Sequence, residues 1–455
     1  MYIMLNIEYT LCAVSNRHFT PPTAPCVGLG GTCCGGVLPS LPSEKSVWTG
    51  SNASHQNASA AALKEPMTTY LACLGTRPEI IKMAPLHREL KLRGHRVVVL
   101  HTGQHAEMAE VLYRFFDMGP DLRLALERRT PRLGDLTALL LEGVDRLVNE
   151  TQPDVVLVQG DTTSALVGAL SGYYNDKPVA HIEAGLRTGT REPFPEEKNR
   201  ELIARLAHWH FAPTARTRDN LLREGIADAC ISVVGNTVID AARWTQERLQ
   251  TNASSAPSVL SSGLSSVVPA MVAEFLDQQI NQRLLLVTAH RRENWGDPIR
   301  NIATAIGQLL AAHGDLVVVW PLHPNPAVSQ AVRPVIDALP DDLRQRVCLT
   351  EPMDYPALIS LLQRCYFTLT DSGGIQEEAS ALRRPVLIAR DSTERQELVE
   401  AGGAVLVGTD IRRMVTEAAR LLRDDGAYRS MQLESSPFGD GHTAQHIADR
   451  LCTVD

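Results

Sequence analysis

Short apolar runs alternate along most of the chain with longer segments of helical period. In the first half, the apolar runs have the length of buried strands and lie at Tyr70–Leu74, Arg96–His101, Asp154–Gln159, Val179–Glu183, Trp209–Ala212 and Ile231–Val234. Segments with a period near 3.6 residues predict helices between them, at Pro78–Leu92, Ala106–Phe116, Leu133–Asn149, Thr163–Tyr174 and Pro195–Ala207. Strands that are apolar throughout and alternate with amphipathic helices are typical of a parallel sheet covered on both faces.

A second alternating series follows a predicted helix, Thr237–Leu249, and a Ser/Ala-rich gap, Thr251–Ser266, which we interpret as a loop or linker. Its predicted strands are Leu284–Thr288, Leu316–Trp320, Arg346–Leu349, Tyr366–Leu369, Pro385–Ile388 and Ala404–Val407. The pattern predicts an α/β protein with two doubly wound Rossmann-like domains that face a cleft. Ligands of such sheets bind beyond the carboxyl ends of the strands, so the cleft is the expected site.

The chain divides into four predicted regions. Residues 1–66 are rich in Ser, Thr, Pro, Gly and Ala without a sustained period, which predicts a disordered N-terminal extension. Because Met67 directly precedes the first strand, we expect a chain that begins there to fold and function. The N-terminal domain then covers 67–240 and the C-terminal domain 241–435, while 436–455, with a helix at Thr443–Leu451, packs back on the first domain.

Composition narrows the class of protein. A net charge of −8 argues against a nucleic-acid partner, and 44% hydrophobic with 21% charged residues is ordinary for a globular protein. The nine cysteines are odd in number and include no C-x-x-C pair, which favours thiols in a reducing compartment. An apolar run long enough to span a membrane and a basic signal-peptide start are both missing, so we expect a cytoplasmic protein without a membrane partner.

The segment Thr370–Ser380 (TDSGGIQEEAS) predicts a strand, a tight turn and the start of a helix. At Ser372, Gly373 and Gly374 the free backbone N–H groups and the positive end of the helix dipole suit an anion such as phosphate. Glu378, one helical turn further, could accept hydrogen bonds from a ribose. From spacing alone, an ordinary strand-to-helix turn is an equally good interpretation.

Cations and other polar residues follow several predicted strands. They are Arg77 and Lys82 in GTRPEIIK, Gln104 and His105 in TGQH, His290 and Arg291 in TAHRRE, His323 in HPNP, and Arg395 in DSTER. Arginine and lysine beside a helix start suit a diphosphate, although a solvated basic pair explains Arg77 and Lys82 as well.

Carboxylates follow strand ends in the first domain. Asp161 and Glu183 end neighbouring predicted strands, and Glu196 begins a helix after a loop rich in Gly, Thr and Pro. Each has an ordinary structural explanation, as an N-cap for Asp161 and as a favourable first-turn charge for Glu196. Together the three form a candidate acid/base set. The histidines lack zinc spacing, and neither a nucleophile elbow nor a G-x-G-x-x-G turn after a strand occurs, so no metal or nicotinamide cofactor is expected.

The ordered motifs from residue 68 to about 440 resemble those of the non-hydrolysing UDP-N-acetylglucosamine 2-epimerases. They are GTRPEIIKMAPL, TGQH, GDTTSAL, HIEAGLRTG, PFPEE-x-NR, GNTVIDA, TAHRREN, HPNP, DSGGIQEEA and RDSTERQE. The resemblance implies the two-domain fold shared with GT-B glycosyltransferases and a homodimer. It also implies interconversion of UDP-GlcNAc and UDP-ManNAc, through elimination of UDP and its re-addition to a 2-acetamidoglucal, without metal or cofactor.

The resemblance also implies roles for individual residues. Asp161, Glu183 and Glu196 match the family's catalytic acids. The nucleotide site matches Arg77, Lys82, His290, Ser372, Gly373, Gly374, Glu378 and Arg395. A second, activating UDP-GlcNAc is linked in bacterial relatives to the neighbourhood of Gln104, His105 and Arg291. Ala106 stands where the family often has arginine, which puts that activation in doubt.

Three other functions fit parts of the pattern. A 2-epimerase of a modified UDP-sugar, such as a diacetamido uronic acid, would use the same motifs. A GT-B glycosyltransferase would share the fold and the UDP site, but it would not need three acids near the sugar. An inactive UDP-sugar sensor is disfavoured because all three acids are present.

Overall fold

The computed structural model describes residues 67–104, 109–254 and 267–453. The predicted extension 1–66 and residues 255–266 of the predicted linker lie outside the described residues. The strands of the first half are β1 (Thr69–Leu74), β2 (Arg96–His101), β3 (Leu122–Arg123), β4 (Val155–Gln159), β5 (Val179–Ile182), β6 (Trp209–Ala212) and β7 (Ile231–Val233). Its helices are α1 (Arg77–Leu92), α2 (Ala109–Phe115), α3 (Leu133–Thr151), α4 (Thr163–Tyr174), α5 (Glu196–Leu206), α6 (Ala215–Arg223) and α7 (Thr237–Ser254).

The second half has the same alternation of strands and helices. Its strands are β8 (Arg283–Thr288), β9 (Leu316–Pro321), β10 (Val347–Thr350), β11 (Phe367–Thr370), β12 (Val386–Ile388) and β13 (Ala404–Leu406). Its helices are α8 (Ala270–Gln278), α9 (Asp297–Ala312), α10 (Pro326–Asp337), α11 (Asp341–Arg344), α12 (Tyr355–Arg364), α13 (Gly373–Ala381), α14 (Gln396–Glu400), α15 (Ile411–Arg423), α16 (Asp425–Met431) and α17 (Thr443–Cys452). Single 3-10 turns lie at Asp228–Cys230 and Arg292–Asn294.

The strands form two parallel sheets with matching strand orders. The seven-stranded sheet has the order β3-β2-β1-β4-β5-β6-β7, and the six-stranded sheet has the order β10-β9-β8-β11-β12-β13. In each sheet the direction of winding reverses once, between β1 and β4 and between β8 and β11. Such reversal points open a crevice at the carboxyl ends of the strands. The predicted fold class, two doubly wound α/β domains, is confirmed.

Three local predictions differ from the structure. Helix α7 continues to Ser254, so Thr251–Ser254, predicted as the start of a loop, is helical; neither Gly nor Pro interrupts the chain before Pro257. The predicted helix Ala106–Phe116 is observed over Ala109–Phe115, and 106–108 lie outside the described residues. Strand β3 has two residues, too few to show a period, and α6 was not predicted.

The core explains why β1 carries no polar position between Tyr70 and Leu74. Leu71 and Cys73 face one way, into a cluster with α3 and α4, while Tyr70, Ala72 and Leu74 face the other way, onto α1. The cluster on the α1 side continues through α7 to β8, α12 and α13. The two sheets are therefore joined by one apolar core rather than by a bare linker.

The chain crosses between the sheets twice, and the crossings touch. The N–H of Asn236 donates to the carbonyl oxygen of Phe438 at 2.6 Å. A Cβ on Gly235 would lie 3.1 Å from the Cα of Gly439, so only glycine permits this approach. After the second crossing, α17 packs against α1, with an ion pair of 2.7 Å between Arg93 Nη1 and Asp449 Oδ1. The domain boundaries at 240 and 435 stay a prediction. Within the described ranges, no helix combines the length and the apolar character that a membrane span requires.

Candidate active site

Most of the candidate residues lie in loops at the carboxyl ends of strands. Arg77 follows β1 and Asp161 follows β4, so both lie where the first sheet reverses its winding. His290 follows β8 and Ser372 follows β11, at the corresponding place in the second sheet. Apolar strands thus deliver polar residues to the two edges at which a ligand of this fold is expected.

Asp161 is not the N-cap of α4, so that interpretation is wrong. The N-cap is Thr162, whose hydroxyl accepts a hydrogen bond from the Ala165 N–H at 3.0 Å. The Asp161 carboxylate instead accepts from the Arg200 guanidinium, at 3.0 Å from Nε and 2.5 Å from Nη2. Its side chain is therefore held toward α5, the helix that Glu196 begins.

Glu183 adopts a left-handed backbone conformation, with φ of 67°, directly after β5. A non-glycine residue there costs on the order of 1 kcal/mol, and such positions cluster at functional sites. Its carboxylate accepts from Lys82 Nζ at 2.5 Å, from Asn236 Nδ2 at 2.8 Å and from the Gln159 side-chain amide. These contacts fix the orientation of a buried acid.

The three acids differ in their electrostatic surroundings. Burial alone would raise the pKa of Glu183, but Lys82 and Arg395 lower it well below its ordinary value. Burial raises the pKa of Asp161, and the charge of Glu183 raises it further against the opposing effect of Arg200. The pKa of Glu196 is raised by burial and by the nearby Asp161. The site therefore keeps Glu183 ionised and makes Asp161 and Glu196 easier to protonate.

The start of α13 has the features of an anion site. Ser372 is the N-cap, but its side chain makes no capping hydrogen bond. The Arg395 guanidinium lies against this turn, since a Cβ on Gly373 would be 2.8 Å from Arg395 Nη1. A Cβ on Gly374 would meet no atom within 4 Å, so space is open beside the helix start. A helix N-terminus, an arginine and open space together suit a phosphate group.

Glu377, which the sequence analysis did not single out, links the two domains. Its Oε1 accepts from Arg395 Nε at 3.1 Å and from Asn236 Nδ2 at 3.3 Å, and its Oε2 lies 3.8 Å from Lys82 Nζ. The same Asn236 amide and the same Lys82 ammonium contact Glu183 on the first domain. Lys82, Glu183, Asn236, Glu377 and Arg395 therefore form one buried cluster, which we call the cross-domain cluster.

Arg77, at the start of α1, and Glu378, on α13, lie close enough for their charges to affect each other. Burial lowers the pKa of Arg77, while the charges of Asp354 and Glu378 act in the opposite direction. Burial raises the pKa of Glu378 to about 7, with a further contribution from Glu377, against the lowering effects of Lys82 and Arg77. A carboxyl with this pKa can accept hydrogen bonds from hydroxyl groups once it is ionised.

The loop after β8 is held by a buried carboxylate. Asp371 Oδ2 accepts from the N–H groups of His290 and Arg291, each at 2.9 Å, and from Asn294 Nδ2 at 2.9 Å. The exposed His290 ring stacks on that of His323, with centroids 6.2 Å apart. Arg291 turns to Glu394, with Nη1 to Oε1 at 3.9 Å. His290 and Arg291 therefore point in different directions from one anchored turn.

Gln104 lies at the carboxyl end of β2, beside the first reversal point. Its Oε1 accepts from the Ser164 hydroxyl at 2.7 Å, and Ser164 also contacts Thr102. His105 lies outside the described residues. A cluster of His, Cys, Asp and Glu able to hold a metal ion does not occur in the described ranges.

Comparison with known proteins places these motifs in one family. A family profile described as "UDP-N-acetylglucosamine 2-epimerase" matches residues 88–452. A protein of that name from Yersinia pestis is 42% identical over 383 residues, which are 84% of this chain and 97% of the relative. The structure is similar to the UDP-GlcNAc 2-epimerase of Neisseria meningitidis bound to UDP-GlcNAc, with a TM-score of 0.73, 35% identity and coverage of 85% and 100% of the two chains. It is also similar to the Methanocaldococcus jannaschii enzyme in complex with UDP-GlcNAc and UDP, with a TM-score of 0.68, 30% identity and coverage of 84% and 99%.

Proposed function

Because the chain belongs to the UDP-N-acetylglucosamine 2-epimerase family, we propose that it interconverts UDP-GlcNAc and UDP-ManNAc. The observation that carries the proposal is the pairing of two edges across one cleft. Carboxylates line the first edge together with two cations, Arg77 and Lys82, while a helix N-terminus, His290 and Arg395 line the second. A sugar attached to a diphosphate needs both at once.

The reaction proposed is elimination of UDP followed by its re-addition. A carboxylate removes the proton from C2 of the sugar while the C1–O bond to the diphosphate breaks, which leaves a 2-acetamidoglucal with a C1–C2 double bond. UDP then adds back to C1 as a second carboxyl group delivers a proton to the opposite face of C2. UDP and one proton leave, and UDP and one proton from the second carboxyl group are added, so the net change is inversion at C2.

The protonation tendencies of the acids suggest their roles. Glu183 is kept ionised by Lys82 and Arg395, so its carboxylate is available to accept a proton, although the same cations lower its basicity. Asp161 and Glu196, whose pKa values are raised, are suited to donate one. A general base and a general acid with separated pKa values are what such a two-face transfer requires.

The proposed nucleotide site uses the second edge together with Arg77 and Lys82 of the first. The diphosphate contacts the N–H groups at Ser372, Gly373 and Gly374 together with Arg395, Lys82, Arg77 and His290, which stabilise the negative charge that develops on the leaving group. Glu378, in its ionised form, accepts from the ribose hydroxyls. Gln104, His105 and Arg291 are proposed to border a second, regulatory UDP-sugar.

We also propose that the enzyme is a cytoplasmic homodimer. Family membership supports the dimer. The cysteines within the described ranges are thiols, which suits a reducing compartment. A dimer would elute in size-exclusion chromatography with light scattering at twice the 49.8 kDa of one chain.

Incubation of UDP-GlcNAc with the enzyme in D₂O tests the reaction. We expect deuterium at C2 of both recovered UDP-sugars, since the proton lost and the proton returned exchange with solvent. The outcome that contradicts the proposal is unlabelled sugar together with release of UDP that depends on an added acceptor, which would indicate a glycosyltransferase. Rapid turnover of a diacetamido uronic acid substrate, with none of UDP-GlcNAc, would reassign the sugar but keep the mechanism.

A further inference from the structure

The cross-domain cluster contains two residues without a role in the proposed reaction, Asn236 and Glu377. Glu377 has 1% of its surface exposed and Asn236 has 2%, so neither is a solvated surface group. Buried polar groups on two different domains that share hydrogen bonds carry a large cost if one partner is removed. Their placement therefore calls for an explanation beyond packing.

The cluster pairs two cations with two carboxylates. Lys82 Nζ lies 2.5 Å from Glu183 and 3.8 Å from Glu377, and Arg395 Nε lies 3.1 Å from Glu377. A further carboxylate, Glu394, lies 3.7 Å from Arg395 Nη1 but is itself paired with Arg390 at 2.9 Å. A diphosphate that approaches Lys82 and Arg395 consequently also approaches the carboxylate of Glu377. Like charges repel at this range in a buried site, so Glu377 lowers the affinity of the two cations for the diphosphate.

We propose that Glu377 is a positioning residue that orients Lys82 and Arg395 while limiting their affinity for the diphosphate, and that Asn236 ties this pair to Glu183. The inference rests on the proposed function, and it assigns these residues a part in binding and releasing UDP. Glu377 holds Arg395 through Nε, and Nη1 of the same guanidinium lies beside Gly373 and 3.7 Å from Glu394 Oε2. Asn236 donates to both carboxylates and so ties Glu183 on the first domain to Glu377, the partner of Arg395, on the second.

Two substitutions at Glu377 separate charge from orientation. Glu377→Gln keeps an oxygen that accepts from Arg395 Nε but removes the negative charge, so UDP should bind at least about threefold more tightly, with a steeper dependence on salt. Glu377→Ala removes both the charge and the orientation, and UDP should bind more weakly than to Glu377→Gln. Isothermal titration of UDP measures both, and thermal melting checks that each variant is folded.

Asn236→Ala leaves all four charges in place and removes the bridge. We expect UDP affinity within about twofold of the wild type and kcat lowered about tenfold, because Glu183 loses one of the donors that fix it. A merely structural role would instead shift melting temperature and UDP affinity together. Glu400→Gln, on the exposed part of α14, is the matched control and should change neither UDP affinity nor kcat.

The proposal is overturned if folded Glu377→Gln binds UDP with unchanged or weaker affinity, or if Asn236→Ala loses UDP affinity in proportion to kcat. Should Glu377→Gln not fold, the Asn236→Ala result decides alone. If the wild-type protein neither binds UDP nor epimerises UDP-GlcNAc, the proposed function fails instead. The assays on the wild type therefore distinguish failure of the proposed function from failure of the roles proposed for Glu377 and Asn236.

Discussion

The two sheets share a winding order but present opposite chemistry at their reversal points. At the first sheet, Asp161 and Glu183 are held by side chains from other segments, Arg200, Lys82 and Asn236. At the second sheet the main features are backbone: the open start of α13 and the loop of His290, anchored on Asp371. Proton transfer needs groups whose pKa values are tuned by neighbours, whereas an anion can be held by N–H groups that never titrate. The proposed function thus assigns reaction to one side of this architecture and most of the diphosphate binding to the other.

Neutralising the acids of the first sheet should give the largest effect. Asp161→Asn or Glu183→Gln is expected to lower kcat at least about a hundredfold, the loss typical of a removed general acid or base, with UDP affinity changed much less. Steady-state epimerisation assays and UDP titration check the two halves of the statement. Glu142→Gln, an exposed carboxylate on α3, serves as the control. Wild-type turnover in either acid variant would remove that residue from the acid/base set.

The complementary change on the second sheet is Arg395→Ala. Loss of a buried charged partner of the diphosphate should weaken UDP binding by about thirtyfold, on the order of 2 kcal/mol. Titration calorimetry with UDP measures the effect. If instead kcat falls and UDP affinity is preserved, the division between a reacting edge and a binding edge is wrong.

A smaller effect concerns pH and Glu378. Burial raises its pKa in the folded protein to about 7, above the ordinary value of 4.5. Between these two pH values the folded state therefore holds a proton that the unfolded state has lost. Stability from this group is present below about pH 4.5 and is lost as pH rises through 7. Between pH 6 and pH 8 the wild type should lose about 1.4 kcal/mol of unfolding free energy from this group.

Glu378→Gln, which cannot ionise, tests that loss. We compare the unfolding free energy of the variant with that of the wild type, measured by urea unfolding at pH 6 and at pH 8. The difference, variant minus wild type, should be larger at pH 8 than at pH 6 by about 1.4 kcal/mol. An offset between the two proteins that does not vary with pH would show that Glu378 is already ionised at pH 6.

The smallest effect should come from the surface pair that joins α6 to α14. Arg216 Nη2 lies 2.6 Å from Glu400 Oε1, but 42% of the arginine side chain is exposed. Glu400→Gln should change the free energy of unfolding by less than about 1 kcal/mol and leave UDP affinity unaltered. A change as large as that of Arg395→Ala would mean that the contacts behind the cleft, and not the cleft itself, set the affinity.

The strands and most of the strand-end residues were predictable because continuous apolar runs mark buried parallel strands, and polar residues just after them can only lie at the sheet edge. Arg77, Asp161, Glu183 and Ser372 were found in this way. Their partners were not predictable from local pattern. Lys82 meets Glu183 across 101 positions, and Asn236 meets Glu377 across 141.

Glu377 illustrates the limit. It stands one position before Glu378 on α13, and adjacent helical positions point in different directions. Glu377 contacts Lys82 and Arg395, whereas the cations whose charges act on Glu378 are Lys82 and Arg77. Sequence identifies two acids there but does not tell which cation each one meets. Asp161 shows the converse, since the role most common for an aspartate at that position belongs to Thr162.

The touching glycines, Gly235 and Gly439, have a mechanical consequence. With no side chain between the two crossings, a rotation of one sheet against the other has its fulcrum there, and Asn236 is the next residue along the chain. Displacement in a rotation grows with distance from the fulcrum. In such a rotation Asn236, which donates to Glu183 and Glu377, moves less than loops far from the glycines, so the contacts of the proposed acid Glu183 are disturbed less than the rim of the cleft.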